Sequence, residues 1–489
     1  MSFGHLVHAE WTKFRTVRGW LIGILLAGVV TIGIGLLGHS QCGGTVVNGT
    51  TISTSACTVP LGPGGEAVTD GAYLVHQALG PDGTVTARVT AADESALPWS
   101  KAGIIVKASL TSGSAYAAMM VTGQHGVRMQ WDYTHDMPGL AGAVSAASPR
   151  WLRLVRSGDT LTGYDSLDGT HWLTVGTVTL AGLPATVQAG PFAASPGQSS
   201  VTSQSVGGGS SAGRAGAGQV TARFDHMTVT GAARGVAWAG TDLSGRTPGD
   251  GYQQAGGVFT LTGSGDIAPY IGGDSVSSAI VGTFAGLITV VVIGAIFITT
   301  EYRRGLIRLT LAASPRRNRV LAAKAVVIGA VTFAVALPSV YAALLLGEWR
   351  QRSGGIFIDP VPVLTEVRII VGTAVLLAVA AVLALGVGTV ARRGAAAVTA
   401  VIVAIVLPYF FASPLALLPA GAADWLLRLT PAAAFAVQQA YPEYPQVATA
   451  YTPQNDYYPL AWWVGLAVLC AWAALALTAA MYLLNRRDA

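Results

Sequence analysis

The sequence has few charged residues: only 11% of its 489 residues are Asp, Glu, Lys or Arg. Soluble globular domains carry about 25%, so the composition excludes a cytosolic enzyme and a disordered chain. A nucleic-acid binder is excluded as well, because it would cluster its basic residues on one surface. Hydrophobic residues make up 52% of the chain, which is typical of a membrane protein.

The apolar residues are concentrated in six stretches, each long enough to cross a bilayer as a helix of about 20 residues. Backbone polar groups in lipid must pair within such a helix, so the stretches predict an all-α membrane domain. The predicted spans are residues 19–38, 278–299, 320–346, 367–390, 395–418 and 460–484, with a loop at 300–319 and a tail at 485–489. Lys324 lies near the start of the third span, where we expect its side chain to snorkel to the membrane surface.

Basic residues beside membrane spans indicate which ends face the cytoplasm. Fourteen Lys and Arg residues lie on the side of the N terminus. The short loops on the other side hold only Arg350, Arg352, Arg368 and Arg428. This predicts a multi-pass protein of the cell membrane with both termini cytoplasmic and residues 39–277 extracellular. That segment is acidic, with 11 Lys and Arg residues against 15 Asp and Glu residues.

Cysteine is rare, and two of the three cysteines, Cys42 and Cys57, fall in the predicted extracellular segment. An oxidising compartment favours a disulfide that closes this short loop, and two unpaired thiols are the alternative. The histidines show no metal-ligand spacing, so no metal site is predicted. The sequence also lacks G-x-x-x-x-G-K-[ST], the motif that holds nucleotide phosphates, so we predict no cofactor bound by this chain.

Residues 82–231 alternate between apolar and polar residues, a pattern that predicts antiparallel strands in a sandwich. A Ser/Gly-rich stretch at 195–219 predicts a disordered loop, and residues 232–277 are left unassigned. The motifs W-L-R-L-x-R-x-G and Y-x-S-x-D-G-x-x-W-x-x-V-G at 150–176 resemble concanavalin A-like lectin/glucanase domains. The resemblance implies an all-β jelly-roll ectodomain inserted between the first and second spans.

Members of that family often bind sugars, so four aromatic residues are candidates for stacking against an extracellular glycan. They are Trp131, Trp151, Tyr164 and Trp172. Packing in the core and between strands is the other interpretation, and it is favoured because aromatic residues are common in strands. A glycosidase would need two carboxylates facing across a cleft. Asp165 and Asp168 instead sit at a turn, where Asp is expected for backbone reasons.

Two cytoplasmic segments combine basic with apolar residues. In residues 1–18 the basic and apolar residues recur near helical spacing, which predicts a helix lying in the membrane interface. An irregular basic flank is the alternative. The loop after the second span, EYRRGLIRLTLAASPRRNRVLAAK at 301–324, suits docking onto another protein. A solvated basic loop is the alternative, and it leaves the interleaved Leu and Ile residues unexplained.

These two segments, A-E-W-T-K-F-R-T-V-R at 9–18 and the loop at 301–324, resemble permease subunits of type-2 ABC exporters, as do the number and order of the spans. The resemblance implies the type-2 exporter fold, an N-terminal elbow helix, and a coupling helix that sits in a groove on a separate ATPase subunit. It implies a coupling role for seven residues: Glu301, Tyr302, Arg303, Arg304, Gly305, Arg316 and Arg317. Many members have only a short outer loop where this chain has residues 39–277.

The expected function is therefore a non-enzymatic permease subunit that acts in membrane lipid, as a homodimer, with ATP hydrolysed by an ABC ATPase subunit. No Asp, Glu or Arg lies deep in a predicted span, which favours export of a hydrophobic or amphipathic substrate over proton or ion transport. The alternative is a membrane-anchored glycan-binding receptor or adhesin. Neither function involves nucleic acid.

Overall fold

The computed structural model describes the chain except for residues 1, 38–44, 48–49, 53–58, 93–96, 143, 146, 200–214, 217, 233–236, 246–247, 271–275, 277, 307–315, 356, 359, 413–419, 441, 448–452, 454–456 and 487–489. Cys42, Cys57 and most of the predicted loop 195–219 lie outside the described residues. The chain divides into two compact units. The helical unit comprises Met1–Thr58, Gly272–Glu443 and Ala450–Ala489, and the β unit comprises Val59–Ile271 with Tyr444–Thr449.

Among the residues that the structure describes, the helical unit contains six helices that are long and apolar enough to cross a membrane. They are α2 (Arg18–Leu37), α3 (Thr283–Arg303), α4 (Arg317–Ser353), α5 (Val363–Ala391), α6 (Gly394–Phe411) and α8 (Trp462–Arg486). Two shorter helices, α1 (Phe3–Thr16) and α7 (Ala420–Leu429), and two 3-10 helices, Ser278–Ile280 and Pro431–Gln438, accompany them. A small hairpin, β1 (Thr45–Val47) and β2 (Thr50–Ile52), belongs to the same unit. The chain is thus a multi-pass membrane protein.

Small residues set the closest helix contacts, as is usual where helices pack in lipid. A Cβ atom added to Gly294 of α3 would lie 2.4 Å from the backbone oxygen of Ala381 in α5. Before the start of α3, a Cβ on Gly282 would lie 1.9 Å from the backbone oxygen of Thr31 in α2. These positions leave no room for a side chain, because the atoms they meet belong to the backbone of a neighbouring helix.

The substitution Gly282→Ala is expected to separate α2 from α3 and to cost about 1–3 kcal/mol, the usual range for overpacking. The measurement is the thermal unfolding midpoint of the detergent-solubilised full chain. Gly33→Ala is the matched control, since a Cβ at Gly33 of α2 meets nothing within 4 Å. Equal midpoints for the two variants would contradict the close approach of α2 and α3.

The β unit contains seventeen strands among its described residues. They are β3 (Val68–Asp70), β4 (Tyr73–Ala92), β5 (Lys101–Lys107), β6 (Tyr116–Thr122), β7 (Val127–Trp131), β8 (His135–Pro138), β9 (Arg150–Ser157), β10 (Thr160–Ser166), β11 (Leu173–Thr179), β12 (Val187–Ala194), β13 (Gln198–Ser199), β14 (Ala215–Gly216), β15 (Gln219–Ala232), β16 (Ala239–Asp242), β17 (Gly251–Ala255), β18 (Val258–Ser264) and β19 (Ile267–Pro269). The sheet therefore starts before residue 82 and includes strands from the segment left unassigned in the sequence.

The long strand β4 joins two antiparallel layers. Its first half pairs with β12 and β16, and its second half pairs with β9 and β15. One layer consequently runs β16-β4-β12-β5-β6-β7-β8, and the other runs β11-β10-β9-β4-β15-β18-β17. The change of neighbours falls at Gly80-Pro81-Asp82-Gly83, where the small side chains and the proline suit a bend in the strand.

Two buried clusters fill the β unit. The larger lies between the layers and takes alternate residues from each strand, for example Leu152 and Leu154 of β9 and Met119 of β6. The smaller lies on the other face of β5 and β6. It includes Ile105, Tyr116 and residues that belong to β3 and β19. Because both faces of β5 and β6 are covered, every residue of these two strands is buried.

Candidate functional site

Lys324 of α4 is fully buried, and its ammonium group lies between two carboxylates from other helices. Its Nζ is 2.7 Å from Oε2 of Glu10 in α1 and 2.6 Å from Oε1 of Glu301 in α3. The expectation that Lys324 snorkels to the surface is therefore wrong. The physical reason is that two carboxylates, the buried Glu10 and the partly buried Glu301, supply the partners that water would otherwise provide.

Lys13 completes this group, which we call the ionic cluster: Glu10, Lys13, Glu301 and Lys324. The Nζ of Lys13 is 2.8 Å from Oε1 of Glu10 and 3.9 Å from Oε1 of Glu301. Two cations and two anions give a formally neutral cluster. The Phe297 ring lies 5.1 Å from the Lys324 ammonium and covers the apolar side of the cluster.

The predicted coupling residues divide into two groups in the structure. Three contact other parts of the helical unit: Glu301 lies in the ionic cluster, Tyr302 packs against Arg392, and Arg317 donates a hydrogen bond of 2.7 Å to the backbone oxygen of Leu484. The others are exposed, namely Arg303, Arg304, Gly305 and Arg316. Gly305 has a left-handed backbone with φ +67, which favours glycine and turns the chain after α3.

Sequence reasoning missed the pairing of Glu10 with Lys324. A signal was present, because Glu10 is the sole acidic residue among residues 1–18 and Lys324 is a lone cation in an apolar stretch. Isolated charges of opposite sign in membrane segments tend to pair. The pattern does not say which charges meet, since 314 positions separate these two.

The structure brings together three of the four candidate stacking aromatics. Trp151 and Tyr164 lie on the outer face of β9 and β10, and Trp172 joins them through the guanidinium of Arg153, which lies 3.7 Å from the centre of its ring. Trp131 of β7 instead packs against the cluster between the layers and stacks on His135. The four residues do not form one surface.

The rings on the outer face are largely covered by neighbouring groups. A Cβ on Gly169 would lie 2.7 Å from the Trp151 indole, so the turn backbone packs directly on that ring. Arg88 lies over the same indole at 5.6 Å and forms a two-point ion pair with Asp225, at 2.7 and 2.6 Å. Hydrogen bonds from Arg88 lower the pKa of Asp225. These contacts favour cross-strand packing over glycan stacking.

The two carboxylates considered for catalysis face different surroundings. Asp165 is fully buried on the inner face of β10, where burial raises its pKa and Arg150 lies 3.8 Å away. Asp168 is in the exposed turn after β10, where hydrogen bonds from His171 and Thr170 lower its pKa. They form no cleft of the kind that glycoside hydrolysis needs.

Within the described ranges, no group of three or more His, Cys, Asp or Glu residues could hold a metal ion.

Comparison with known families identifies the part of the chain that contains most of the apolar helices. Residues 162–489 match the family described as ABC-2 family transporter protein. The chain belongs to this family. It is accordingly the membrane component of an ABC transporter, and family membership implies an ABC ATPase partner. The match covers α3 to α8 and the β unit from β10 onwards, whereas α1 and α2 precede it.

No curated protein matches the chain. Among solved structures, a functionally unknown protein from Saccharomyces cerevisiae is 17% identical, with 36% of this chain and 82% of that chain covered and a TM-score of 0.24. The alginate lyase from Klebsiella pneumoniae is 15% identical, with 32% and 61% covered and a TM-score of 0.19. Similarities of this size assign neither a fold nor a function.

Proposed function

We propose that this ABC-2 family member is the permease subunit of an exporter. It moves a hydrophobic or amphipathic substrate out across the cell membrane, using ATP hydrolysed by a separate subunit, and it binds no cofactor of its own. The observation that carries this proposal is the ionic cluster. It joins the elbow helix α1 to the C-terminal end of α3 and the N-terminal end of α4. The basic loop connects these two helix ends.

The cluster gives the loop a rigid connection to the spans. Glu301 lies in the last turn of α3, three residues before the exposed Arg304. Removing a buried charge from its partners is costly, because neither charge can recover its hydration inside the protein. A force applied at Arg304 or Arg316, the described residues next to α3 and α4, therefore displaces α1, α3 and α4 together. We infer that closure of the ATPase subunits supplies this force and that the spans alternate between inward-open and outward-open states.

The proposed orientation places both termini in the cytoplasm and residues 39–277 outside. Support comes from the turn at Tyr444–Val447, which folds as part of the β unit although it lies between α7 and α8. The β unit also contains most of the segment between α2 and α3. Both segments must lie on one side of the membrane, which agrees with the four spans α3, α4, α5 and α6 between them.

We also propose that two copies enclose the transport path as a homodimer. Exposed apolar side chains on α2, including Ile22, Val29 and Leu37, suit contact with lipid.

The β unit is proposed to be a jelly-roll ectodomain that serves as a spacer or binder. The alternative function, a glycan-binding receptor or adhesin, has little support because neighbouring groups cover Trp151 and Trp172.

The paired substitution Arg303→Glu and Arg304→Glu is expected to abolish co-purification of the ATPase subunit. Both side chains are exposed directly after α3, so reversal of their charge places two anions where the proposal puts the ATPase groove. Like-charge contacts at an interface cost several kcal/mol. The measurement is affinity purification of the permease from cells that co-express a candidate ABC ATPase subunit.

Arg18→Glu is the matched control, since Arg18 is an exposed cation on the same predicted side but outside the loop. It should leave co-purification unchanged. Equal recovery of the ATPase with the paired variant and with wild type would exclude the loop as its docking site. Loss of co-purification with the paired variant and also with Arg18→Glu would show that general surface charge, and not the loop, determines the association.

A further inference from the structure

A 3-10 helix separates α5 from α8 near the ends at which these two helices begin. Further along, they meet directly, because a Cβ added to Gly386 of α5 would lie 2.9 Å from the Cβ of Ala476 in α8. Within their first three turns, both helices pack against the 3-10 helix Pro431–Gln438. A Cβ on Gly372 of α5 or on Gly465 of α8 would lie 2.0 Å from an atom of this 3-10 helix. The arrangement leaves a groove between the first turns of α5 and α8.

The groove is about as long as one leaflet of a bilayer. It has a volume of about 580 Å³ and extends along α5 from Leu364 to Val375. That distance is about 16 Å at the usual helical rise, and half of the hydrocarbon core is about 15 Å thick. Val371 and Leu466 form apolar walls, and Trp462 lines the groove as the first residue of α8. Because tryptophan prefers the depth of the headgroups, this end of the groove lies at a membrane surface.

Arg368 of α5 is the one charged side chain among the described residues that line the groove. Its guanidinium donates a hydrogen bond to the backbone oxygen of Gln439, which holds the group in place but leaves its charge uncompensated, since a carbonyl is neutral. In the part of the chain that the structure describes, no carboxylate forms an ion pair with Arg368, and its Nε has no hydrogen-bond partner. Glu366 lies two positions earlier, on a different face of the helix.

These features match the two parts of an anionic phospholipid. A charged residue within a membrane helix is costly without a partner and indicates a functional site. The planar guanidinium suits a phosphate group, because two N–H groups can bind two phosphate oxygens at once. Below Arg368, the apolar walls at Val371 and Leu466 suit an acyl chain. A zwitterionic lipid fits less well, since its own cation offsets the charge of the phosphate.

We infer that the groove between α5 and α8 binds one anionic phospholipid, with the phosphate at Arg368 and an acyl chain along Val371 and Leu466. In the proposed orientation, this lipid belongs to the outer leaflet. A second copy of the chain is the other occupant that would cover an apolar groove. Arg368 argues against it, because a two-fold dimer centred here would bring two copies of this cation together, and like charges in an interface are unfavourable.

The first test measures lipid adducts of the detergent-solubilised full chain by native mass spectrometry. Dioleoylphosphatidylglycerol and dioleoylphosphatidylcholine share their acyl chains, so their comparison isolates the headgroup. The wild type should bind the anionic lipid at least about tenfold more tightly, the effect of one hydrogen bond between charged groups. Arg368→Gln should lose this preference. Arg350→Gln, at an exposed cation of α4 on the same predicted side, should keep it. Equal binding of both lipids by the wild type would overturn the proposal.

The second test fills the groove and leaves Arg368 in place. Val371 is 39% exposed, so the larger ring of Val371→Trp enters the groove without disturbing the core, and binding of the anionic lipid should be lost. Leu345→Trp, at an exposed apolar residue of α4 outside the groove, should bind it as the wild type does. Unchanged lipid binding by Val371→Trp would overturn the groove as the site, and loss of dimers in its place would assign the groove to a second copy.

This inference and the proposed function fail separately. If no ATPase associates with the chain, the exporter proposal fails, while the lipid measurements still decide what the groove binds. If the two lipids bind equally, the groove proposal fails, while co-purification of the ATPase still tests the exporter.

Discussion

Replacement of Lys324 by methionine is expected to destabilise the helical unit by about 3–5 kcal/mol, the cost of leaving buried charges without their partner. Glu10 and Glu301 would then lose the ammonium that lies within 2.7 Å of both and would keep only the half-exposed Lys13 as a counter-charge. We expect a lower thermal unfolding midpoint for the detergent-solubilised protein. We also expect weaker association with the ATPase subunit, because the loop would lose its fixed position against α1.

Two further variants separate the charge effect from the loss of a side chain. The triple substitution Glu10→Gln, Lys324→Met and Glu301→Gln removes the charges of all three groups that meet at Lys324 and should recover most of the lost stability. Lys13→Met removes the half-exposed cation and should cost no more than about 1 kcal/mol. A Lys324→Met protein that unfolds at the wild-type midpoint would show that the ionic cluster does not hold these helices together.

Replacement of Lys107 by methionine is expected to have a similar effect on the β unit, about 3–5 kcal/mol. Lys107 and Asp70 are both fully buried, and their side chains are 2.7 Å apart. Asp70 would keep hydrogen bonds from Tyr133 and from the Gly113 amide but would lose its counter-charge. The measurement is exchange protection of β5 and β6 amides in the full chain.

The matched control for Lys107 is Arg88→Met, which breaks the ion pair with Asp225 on the partly exposed outer face. Water can replace the lost partner there, so the expected cost is no more than about 1 kcal/mol. Protection of β5 and β6 that survives Lys107→Met would contradict the structural role of this pair.

The sequence predicted the features that repeat along the chain. Each span is a continuous apolar run, and a strand such as β9, Arg150–Ser157, alternates buried with less buried residues as its pattern predicts. Alternation also says which residues share a face. It does not say which face points inwards, so Trp131 could not be separated from Trp151 before the partner layer was known.

Features that depend on distant contacts were not predictable. Strand β4 continues through Gly80-Pro81-Asp82-Gly83, a sequence typical of a turn, because β12 pairs with the residues before this segment and β9 pairs with β4 from Asp82 onwards. Gln446 lies in a loop without any recognisable motif, and its side-chain amide donates to the backbone oxygens of Thr134 and Tyr133, which are 312 and 313 positions away in sequence. Local propensity carries no information about pairings of this kind, which arise only when the whole chain has folded.

The length of α4 explains an irregularity in the distribution of basic residues. Its 37 residues span about 55 Å at the usual helical rise, whereas a bilayer with its headgroups is about 40–45 Å thick. In the proposed orientation, Arg317 and Arg319 lie at the inner headgroups. Arg350 and Arg352, near the other end of this helix, then stand in water beyond the outer leaflet. At that height neither guanidinium group lies in the hydrocarbon core, so the helix carries no buried cation at its outer end.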